Sequence, residues 1–285
     1  MLKFTTLVIL LITFKTSFCN LPVIIIHGIN ADAGTLDTLA GWIEKSGTKN
    51  VFPLNIYNND ESFEELFTQL NGYAKTIRNI TDIYGEAILI GYSQGGTIAR
   101  AFVEMTANHS IHTLMTLSGP LAGVYGLDDL EHLLWKHIGT KYLYKICYLS
   151  EVQRLLSVCN YWNDPYHQEE YLKKNIYQPI IDNVVAHPSS SQYKENFLQL
   201  KRLILIGGPG DDVIDPWQSA FFGFYQNNSK TVSNVQQREI WTDDTFGLKT
   251  LNDRKAITFC QVAGVTHKNW VLNETVFDKC IKEWL

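Results

Sequence analysis

The hydrophobic positions of this 285-residue chain form short, almost unbroken apolar runs, separated by longer segments in which apolar residues recur with helical spacing. Such runs are typical of parallel strands that are covered on both faces. Pro53 in the second run predicts an edge strand or an early break. Alternation of the runs with helical segments predicts βαβ units that build a mostly parallel sheet of the α/β class. The predicted strands are 23–27, 51–57, 87–90, 112–117, 202–206 and 256–262.

The helical segments between these runs have recognisable beginnings. Ser62 and Glu65 have the spacing of a capping box, which predicts a helix from there to about Ile80. Further helices are predicted over residues 94–107, directly after an apolar run, and over residues 273–284 at the end of the chain.

Two segments depart from the alternating pattern. At the N-terminus Lys3 precedes an apolar stretch, and small residues follow up to Cys19, which predicts a secretory signal peptide over residues 1–19. Between about residues 127 and 187 the pattern is helical, irregular and rich in aromatic residues. We therefore predict that residues 20–285 form the α/β domain and that residues 127–187 are a helical cap inserted into it.

Charge and composition exclude two classes of partner. The net charge is −5 and no cluster of Lys and Arg stands out, so we expect no nucleic acid partner. After the leader no apolar stretch reaches the roughly 18 residues of a membrane span, so we expect no stable membrane anchor.

Cysteines and sequons indicate the secretory route. Removal of Cys19 leaves four cysteines, whose spacing favours pairing of neighbours in sequence, although three connectivities are possible. No C-x-x-C spacing occurs, so we expect no metal site. The four cysteines are Cys147, Cys159, Cys260 and Cys280. The candidate glycosylation sites are the Asn-x-Ser/Thr asparagines Asn79, Asn108, Asn227 and Asn273.

A serine lies where one apolar run gives way to a helical pattern, in the stretch ILIGYSQGGTIARAF. A tight turn from strand to helix strains the residue at its apex, and Gly91 and Gly95 would relieve the crowding around it. Such a turn raises the Ser93 hydroxyl at the carboxyl end of the sheet and leaves the N–H of Gln94 at a helix N-terminus, suited to an oxyanion. The pattern predicts a nucleophile elbow.

A serine nucleophile needs a base and an orienting acid, which in this fold follow it in the order Ser, Asp, His. His267 follows the last predicted strand, and Asp211 follows the one before it. Asp212 and Asp215 are alternatives for the acid, and any of the three could instead cap a helix.

The second oxyanion donor is expected from the loop after the first strand. His27 and Gly28 precede Ile29 there, and we predict that the N–H of Ile29 is that donor.

With these residues in place, the chain resembles the palmitoyl-protein thioesterases, and within them the second, lysosomal acyl-thioesterase branch. The likeness covers nearly all of the chain after the leader. It is carried by YSQGG at 92–96, CNYWNDPYHQEEYL at 159–172, LILIGGP at 203–209, VIDPWQSAFFGFY at 213–225, FGLKTL at 246–251 and AGVTH at 263–267.

The resemblance implies an α/β-hydrolase with Ser93 as nucleophile, His267 as base and Asp211 as acid. It also implies a lysosomal or secreted enzyme without a cofactor that hydrolyses long-chain fatty acyl thioesters such as palmitoyl-CoA through an acyl-serine intermediate. The cysteines matching Cys147 with Cys159, and Cys260 with Cys280, pair in that branch. This chain departs from vertebrate members at Gly91 and Ala99, where they carry a further cysteine pair.

Two alternatives stay open. A lipase or esterase acting on oxygen esters would use the same three residues, and a catalytically inactive lipid-binding module would keep the fold without the chemistry. For an acyl substrate we expect an apolar channel at the site. The residues expected to line it are Ile29, Leu121, Val213 and Ile214.

Overall fold

A six-stranded parallel sheet with the strand order β2-β1-β3-β4-β5-β8 forms the centre of the molecule. The computed structural model describes residues 21–126 and 140–285. A separate antiparallel pair, β6 with β7, lies outside this sheet. The predicted α/β architecture with a mostly parallel sheet is confirmed. The strands are β1 Val23–Ile26, β2 Val51–Pro53, β3 Ala87–Tyr92, β4 Ile111–Leu117, β5 Arg202–Gly207, β6 Phe224–Tyr225, β7 Val232–Ser233 and β8 Ile257–Gln261.

Helices cover both faces of the sheet, which explains why its inner strands are mostly apolar on both faces. Side chains of one strand alternate between the faces, so Ile24 and Ile26 belong to one core, and Val23 and Ile25 to the other. The first core also contains the buried residues of α2 and α3, and the second those of α1 and of the C-terminal segment. The helices that cover the sheet are α1 Asp37–Lys45, α2 Leu66–Tyr84 and α3 Gln94–Met105.

Short helices follow in the second half of the chain. In the segment between β4 and β5 they are α4 Thr140–Cys147, α5 Ser150–Gln153, α6 Ser157–Tyr161, α7 Gln168–Lys174, α8 Gln178–Ile181 and α9 Ser190–Phe197. Near the C-terminus they are α10 Glu239–Thr242, α11 Leu248–Asp253 and α12 Glu274–Val276. Residues 140–187 of the proposed cap thus contain short helices joined by turns and loops, while residues 127–139 and the predicted signal peptide 1–19 lie outside the described residues.

Three predictions of local structure need correction. The capping box at Ser62 was wrong, because Glu65 is the N-cap of α2 and its carboxylate accepts hydrogen bonds from the N–H groups of Phe67 and Thr68. Strand β2 spans residues 51–53 and not 51–57, and its place at the edge of the sheet and its end at Pro53 confirm the edge or early break predicted from that proline. The C-terminal helix is not regular: α12 continues as a π-helical turn over Phe277–Ile281 and a 3-10 turn.

Both pairs of cysteines that the resemblance implied are joined in the structure. The first disulfide, Cys147–Cys159, ties α4 to α6, and the second, Cys260–Cys280, ties β8 to the C-terminal segment. Within the described residues, no helix combines the length and the apolar character needed to cross a membrane.

Candidate active site

Ser93 stands alone between β3 and α3, at the apex of a sharp turn. Its backbone has φ 55° and ψ −126°, a left-handed conformation that costs energy for a residue with a side chain. A side-chain carbon at Gly95 would lie 2.5 Å from the carbonyl oxygens of Ile26 and His27, and one at Gly91 would overlap the backbone of Gly95. Both glycines are therefore required by the close packing of this turn, as the sequence pattern predicts.

The hydroxyl of Ser93 lies 2.8 Å from Nε2 of His267, a residue 174 positions later in the chain. His267 begins the 3-10 turn that follows β8, and its side chain is buried. Its other ring nitrogen, Nδ1, lies 2.9 Å from the Asp211 carboxylate. An ionised carboxylate can only accept, so Nδ1 carries the proton and Nε2 is free to accept the proton of the Ser93 hydroxyl.

Five hydrogen-bond donors hold the Asp211 carboxylate. Oδ1 accepts from the N–H groups of Val213 (3.0 Å) and Ile214 (2.9 Å). Oδ2 accepts from the Ser118 hydroxyl and, at 2.7 Å, from Nε1 of Trp270, in addition to His267. Burial alone would raise the pKa of Asp211, but these hydrogen bonds and the contact with His267 outweigh it and lower the pKa to about 2. The carboxylate is thus ionised at mildly acidic and at neutral pH.

Two of these donors were missed by the sequence analysis. Ser118 immediately follows β4, so the rule that found Asp211 and His267 at the carboxyl ends of strands could have indicated it. Trp270 lies three residues after His267, and nothing in the local sequence distinguishes it from a core residue. Tyr92 was also missed: its hydroxyl donates to the carbonyl of His267 at 3.0 Å, and the two rings lie 5.5 Å apart.

The two alternative acids have other partners. Oδ1 of Asp212 accepts from the backbone N–H of His267 at 2.8 Å, so this carboxylate holds the main chain of the histidine and not its ring. Asp215 accepts from the Tyr225 hydroxyl at 2.5 Å. Of the three carboxylates, only Asp211 is within hydrogen-bond distance of the imidazole.

The two candidate oxyanion donors belong to segments that adjoin Ser93. Gln94 is the first residue of α3, where the backbone N–H groups lack partners within the helix. Ile29 follows Gly28, where a side-chain carbon would lie 2.9 Å from Cβ of Ser93. His27 supports this loop and takes no part in the triad, since its Nε2 lies 3.0 Å from the Ile56 carbonyl.

A cavity of about 560 Å³ opens beside Ser93 and His267. Its walls are mainly apolar, and a single cation, Lys268, lies among the lining residues. Of the four residues expected to line a channel, Ile29 and Val213 do so, whereas Leu121 and Ile214 are buried in the core instead. The lining residues are Gly28, Ile29, Asn30, Ala31, Thr35, Phe63, Tyr92, Ser93, Val213, His267, Lys268 and Leu272.

The remaining candidate residues lie away from this cavity. Asn79, Asn108 and Asn227 are exposed, whereas Asn273 is half-buried and its side chain caps α12 by accepting from the Val276 N–H at 3.3 Å. Within residues 21–126 and 140–285, no group of three or more His, Cys, Asp or Glu side chains is arranged to hold a metal ion.

Comparison with known proteins identifies relatives over most of the chain. The model of the palmitoyl protein thioesterase family matches residues 22–267. The lysosomal thioesterase PPT2 of Mus musculus is 38% identical over 266 residues, which cover 93% of this chain and 87% of that protein. The lysosomal thioesterase PPT2 homolog of Drosophila melanogaster is 34% identical over 273 residues, 93% of each chain.

Among solved structures, a lipase-esterase related protein from Clostridium acetobutylicum aligns with a TM-score of 0.50, 15% identity and coverage of 93% of this chain and 95% of that one. At this level of identity the likeness concerns the fold alone. It supports the α/β-hydrolase fold that the resemblance implied.

Proposed function

The chain belongs to the palmitoyl protein thioesterase family and is a thioester hydrolase, and we propose that it cleaves long-chain fatty acyl thioesters through an acyl-Ser93 intermediate. The observation that carries the proposal is the line of hydrogen bonds from Ser93 through His267 to Asp211, which begins at an apolar cavity. A nucleophile, a base and an orienting acid in this order are what acyl transfer to a serine requires.

In the first half of the reaction, Ser93 Oγ attacks the thioester carbonyl carbon while His267 Nε2 takes the hydroxyl proton. The backbone N–H groups of Ile29 and Gln94 stabilise the negative charge on the carbonyl oxygen. When the C–S bond breaks, the imidazolium gives its proton to the departing sulfur, and the acyl group remains on Ser93. Asp211 stabilises the imidazolium throughout without accepting its proton.

In the second half, water attacks the acyl-Ser93 carbonyl and gives a proton to His267. The tetrahedral intermediate then collapses, the C–O bond to Ser93 breaks, and His267 returns the proton to the Ser93 oxygen. A free fatty acid leaves and the resting hydroxyl is restored. No cofactor takes part in this scheme.

The lining of the cavity supports a substrate with a long hydrocarbon chain. Phe63, Val213 and Leu272 offer apolar surface to a hydrocarbon chain, and each methylene they remove from water contributes up to about 0.8 kcal/mol. Together with membership of the thioesterase family, this lining supports acyl-CoA and related S-acyl thiols as the proposed substrates. The names of the relatives, which are lysosomal thioesterases, support a lysosomal site of action for an enzyme of the secretory route.

Covalent labelling tests the acyl-Ser93 intermediate. A fluorophosphonate probe should label the wild-type protein and fail to label Ser93→Ala, with Ser219→Ala as the matched control because Ser219 is buried away from the cavity. Labelling of Ser93→Ala to the wild-type level would contradict the assignment of the nucleophile, and absence of labelling in both would favour an inactive lipid-binding module.

Chain-length preference tests the substrate class. We expect kcat/KM for palmitoyl-CoA to exceed that for butyryl-CoA at least about tenfold when both are measured below micelle-forming concentrations, because the apolar cavity rewards added methylenes. The matched control is a palmitoyl oxygen ester. Faster hydrolysis of the oxygen ester than of the thioester would assign the chain to the lipases and esterases instead.

A further inference from the structure

Ser62 lies in a 3-10 turn, Asn59–Phe63, that leads into α2 beside the cavity at Ser93. The residue is 1% exposed and does not line the cavity, although its neighbour Phe63 does. It does not cap α2, so the role that the sequence pattern predicted for it does not explain its burial. Its hydroxyl and its carbonyl instead bind the two segments that carry the candidate oxyanion donors.

The Ser62 hydroxyl is bound to the loop that contains Ile29. Its Oγ accepts from the backbone N–H of Asn30 at 2.7 Å and donates to the Asn59 carbonyl at 2.5 Å. The backbone N–H of Asn59 in turn donates to the Ala31 carbonyl at 2.8 Å. Asn30 has φ 50°, a left-handed conformation that costs energy. The first of these hydrogen bonds therefore fixes the peptide that joins Ile29 to Asn30.

The Ser62 carbonyl is bound to Gln94, the residue that carries the other oxyanion donor. Nε2 of Gln94 donates to this oxygen at 2.8 Å. Nε2 of Gln69 and Oγ of Ser157 donate to the same oxygen at 2.8 and 3.1 Å. None of these side chains belongs to a residue more than 1% exposed, and buried polar groups lose stability when such a bond is broken. The contact therefore holds the first residue of α3 against Ser62.

One residue thus contacts both halves of the candidate oxyanion hole. Ile29 belongs to the loop after β1 and Gln94 to the first turn of α3, so their N–H groups come from separate segments of the chain. Donors stabilise a developing negative charge only where they are held in place before the reaction begins. Ser62 supplies such a hold on each segment, through its hydroxyl on one side and its carbonyl on the other.

We propose that Ser62 is a positioning residue for thioester hydrolysis, which fixes the N–H groups of Ile29 and Gln94 at the spacing that the oxyanion requires. It acts through these two residues and does not touch the substrate. The inference rests on the proposed function for the identity of the two donors. It goes beyond that function because it assigns a role to a buried residue outside the cavity.

Kinetics of Ser62→Ala test the hydroxyl contact. This change frees the Asn30 N–H and keeps the carbonyl, so kcat for palmitoyl-CoA should fall about 10- to 30-fold with KM within about twofold. Ser219→Ala is the matched control, because Ser219 is also buried and does not line the cavity. Its Oγ likewise accepts from a backbone N–H, that of Ala122 at 3.0 Å, and donates to a carbonyl, that of Gly123 at 2.6 Å. Its kcat should stay within about twofold of the wild-type value.

Gln94→Met tests the carbonyl contact and serves as the second variant if Ser62→Ala does not fold. Methionine is flexible and nearly as long as glutamine, but it has no amide to donate to Ser62. The backbone N–H of residue 94 remains. We expect kcat to fall about fivefold to tenfold, again with KM within about twofold.

Inhibitor binding separates positioning of the oxyanion donors from a general structural role. The carbonyl carbon of a long-chain trifluoromethyl ketone bonds to the Ser93 oxygen while His267 takes the hydroxyl proton, and the carbonyl oxygen becomes an oxyanion. An S-alkyl-CoA thioether has no carbonyl and needs no oxyanion donor. In Ser62→Ala and Gln94→Met, the inhibition constant of the ketone should rise by the factor by which kcat/KM falls, while Kd of the thioether stays within about twofold.

Three results would overturn the role of Ser62. They are a kcat of Ser62→Ala within about twofold of the wild-type value, equal weakening of the ketone and the thioether, and a loss in Ser219→Ala as large as that in Ser62→Ala. Absence of palmitoyl-CoA hydrolysis by the wild-type protein would instead contradict the proposed substrate. The ketone would still rank the variants in that case, because its addition requires only Ser93, His267 and the oxyanion donors.

Discussion

Asp211 and Glu104 are two carboxyl groups with fully buried side chains whose surroundings shift their pKa values in opposite directions. Asp211, at the candidate active site, has its pKa lowered to about 2, and Glu104, inside α3, has its pKa raised to about 8. Burial acts on both in the same direction, since it disfavours the charged form of any carboxyl. The difference therefore arises from the groups that surround each carboxyl.

Donors are more numerous around Asp211. It accepts from two backbone N–H groups, a hydroxyl, an indole and the imidazole of His267. Glu104 accepts from Arg100 at one oxygen only, and its Oε2 has no partner among the described residues. Arg100 also divides its charge between Glu104 and Asp182. A buried carboxyl thus stays ionised where enough donors meet both oxygens, and it takes up a proton where they do not.

The largest expected effect comes from removing the charge at each position. Asp211→Asn should lower kcat/KM by about 10⁴-fold, because the amide holds the wrong imidazole tautomer and cannot stabilise the imidazolium. Glu104→Gln, an equally isosteric change, should leave kcat/KM within about threefold, since that carboxyl is already neutral at acid pH. Steady-state kinetics near pH 5 with palmitoyl-CoA compares the two variants.

The next effect concerns the pH dependence of the unfolding free energy. The contribution of Glu104 falls as the pH rises, whereas that of Asp211 falls as the pH is lowered. The folded-state pKa of Glu104, about 8, lies above its ordinary value of 4.5, so its contribution is fully present below pH 4.5 and is lost as the pH rises through 8. Asp211, lowered from 3.8 to about 2, contributes above pH 3.8, and that contribution is lost as the pH falls through 2. The contribution of Asp211 is therefore complete above about pH 4, whereas that of Glu104 declines progressively between pH 4.5 and pH 8.

Replacing Glu104 by the neutral Gln should therefore remove part of the loss of unfolding free energy that accompanies a rise in pH. We expect the fall in unfolding free energy between pH 5 and pH 8 to be roughly 3–4 kcal/mol smaller in Glu104→Gln than in the wild-type protein, because each pH unit between the two pKa values corresponds to about 1.4 kcal/mol. Urea unfolding at the two pH values measures it. Glu195→Gln, an exposed glutamate of α9, is the control and should follow the wild type. An equal fall in Glu104→Gln and wild type would mean that Glu104 is ionised in the folded protein.

A smaller effect is expected from removing one donor of Asp211. Ser118→Ala should lower kcat about tenfold with little change in KM, because the remaining donors still hold the carboxylate but orient it less firmly. The double variant with Asp211→Asn should be no slower than Asp211→Asn alone, since Ser118 acts only through Asp211. Ser219→Ala, another buried serine, is the control. Additive losses in the double variant would show that Ser118 acts independently of Asp211.

The sequence could predict those parts of the site that follow from local patterns. The strained turn at Ser93 needs glycines at fixed positions before and after the serine. A parallel sheet brings the residues that follow its strands to one edge, and Asp211 and His267 are two such residues. Glu65, by contrast, was misassigned because a capping box and a single N-cap glutamate look alike in sequence. The choice of Asp211 over Asp212 came from the family resemblance and not from the pattern.

The donors that set the charge of Asp211 could not be predicted in this way. Trp270 has the spacing of an ordinary core residue, and its indole N–H reaches Asp211 only after β5 and β8 pair. The ion pair between Arg100 and Asp182 likewise joins residues that are 82 positions apart in the sequence. Such contacts arise from tertiary packing, and no period or motif in the sequence encodes them.

The smallest effect is expected at Asp212, directly beside Asp211. Its Oδ1 accepts from the His267 main-chain N–H, and an amide oxygen accepts from the same donor, so Asp212→Asn should lower kcat/KM only about threefold. Asp212→Ala removes the acceptor and should cost more than Asp212→Asn, although far less than Asp211→Asn. The same palmitoyl-CoA assay ranks the three variants. If Asp212→Asn proves as damaging as Asp211→Asn, the imidazole is oriented by Asp212 during turnover, and the number of donors around a buried carboxyl no longer identifies the acid of the triad.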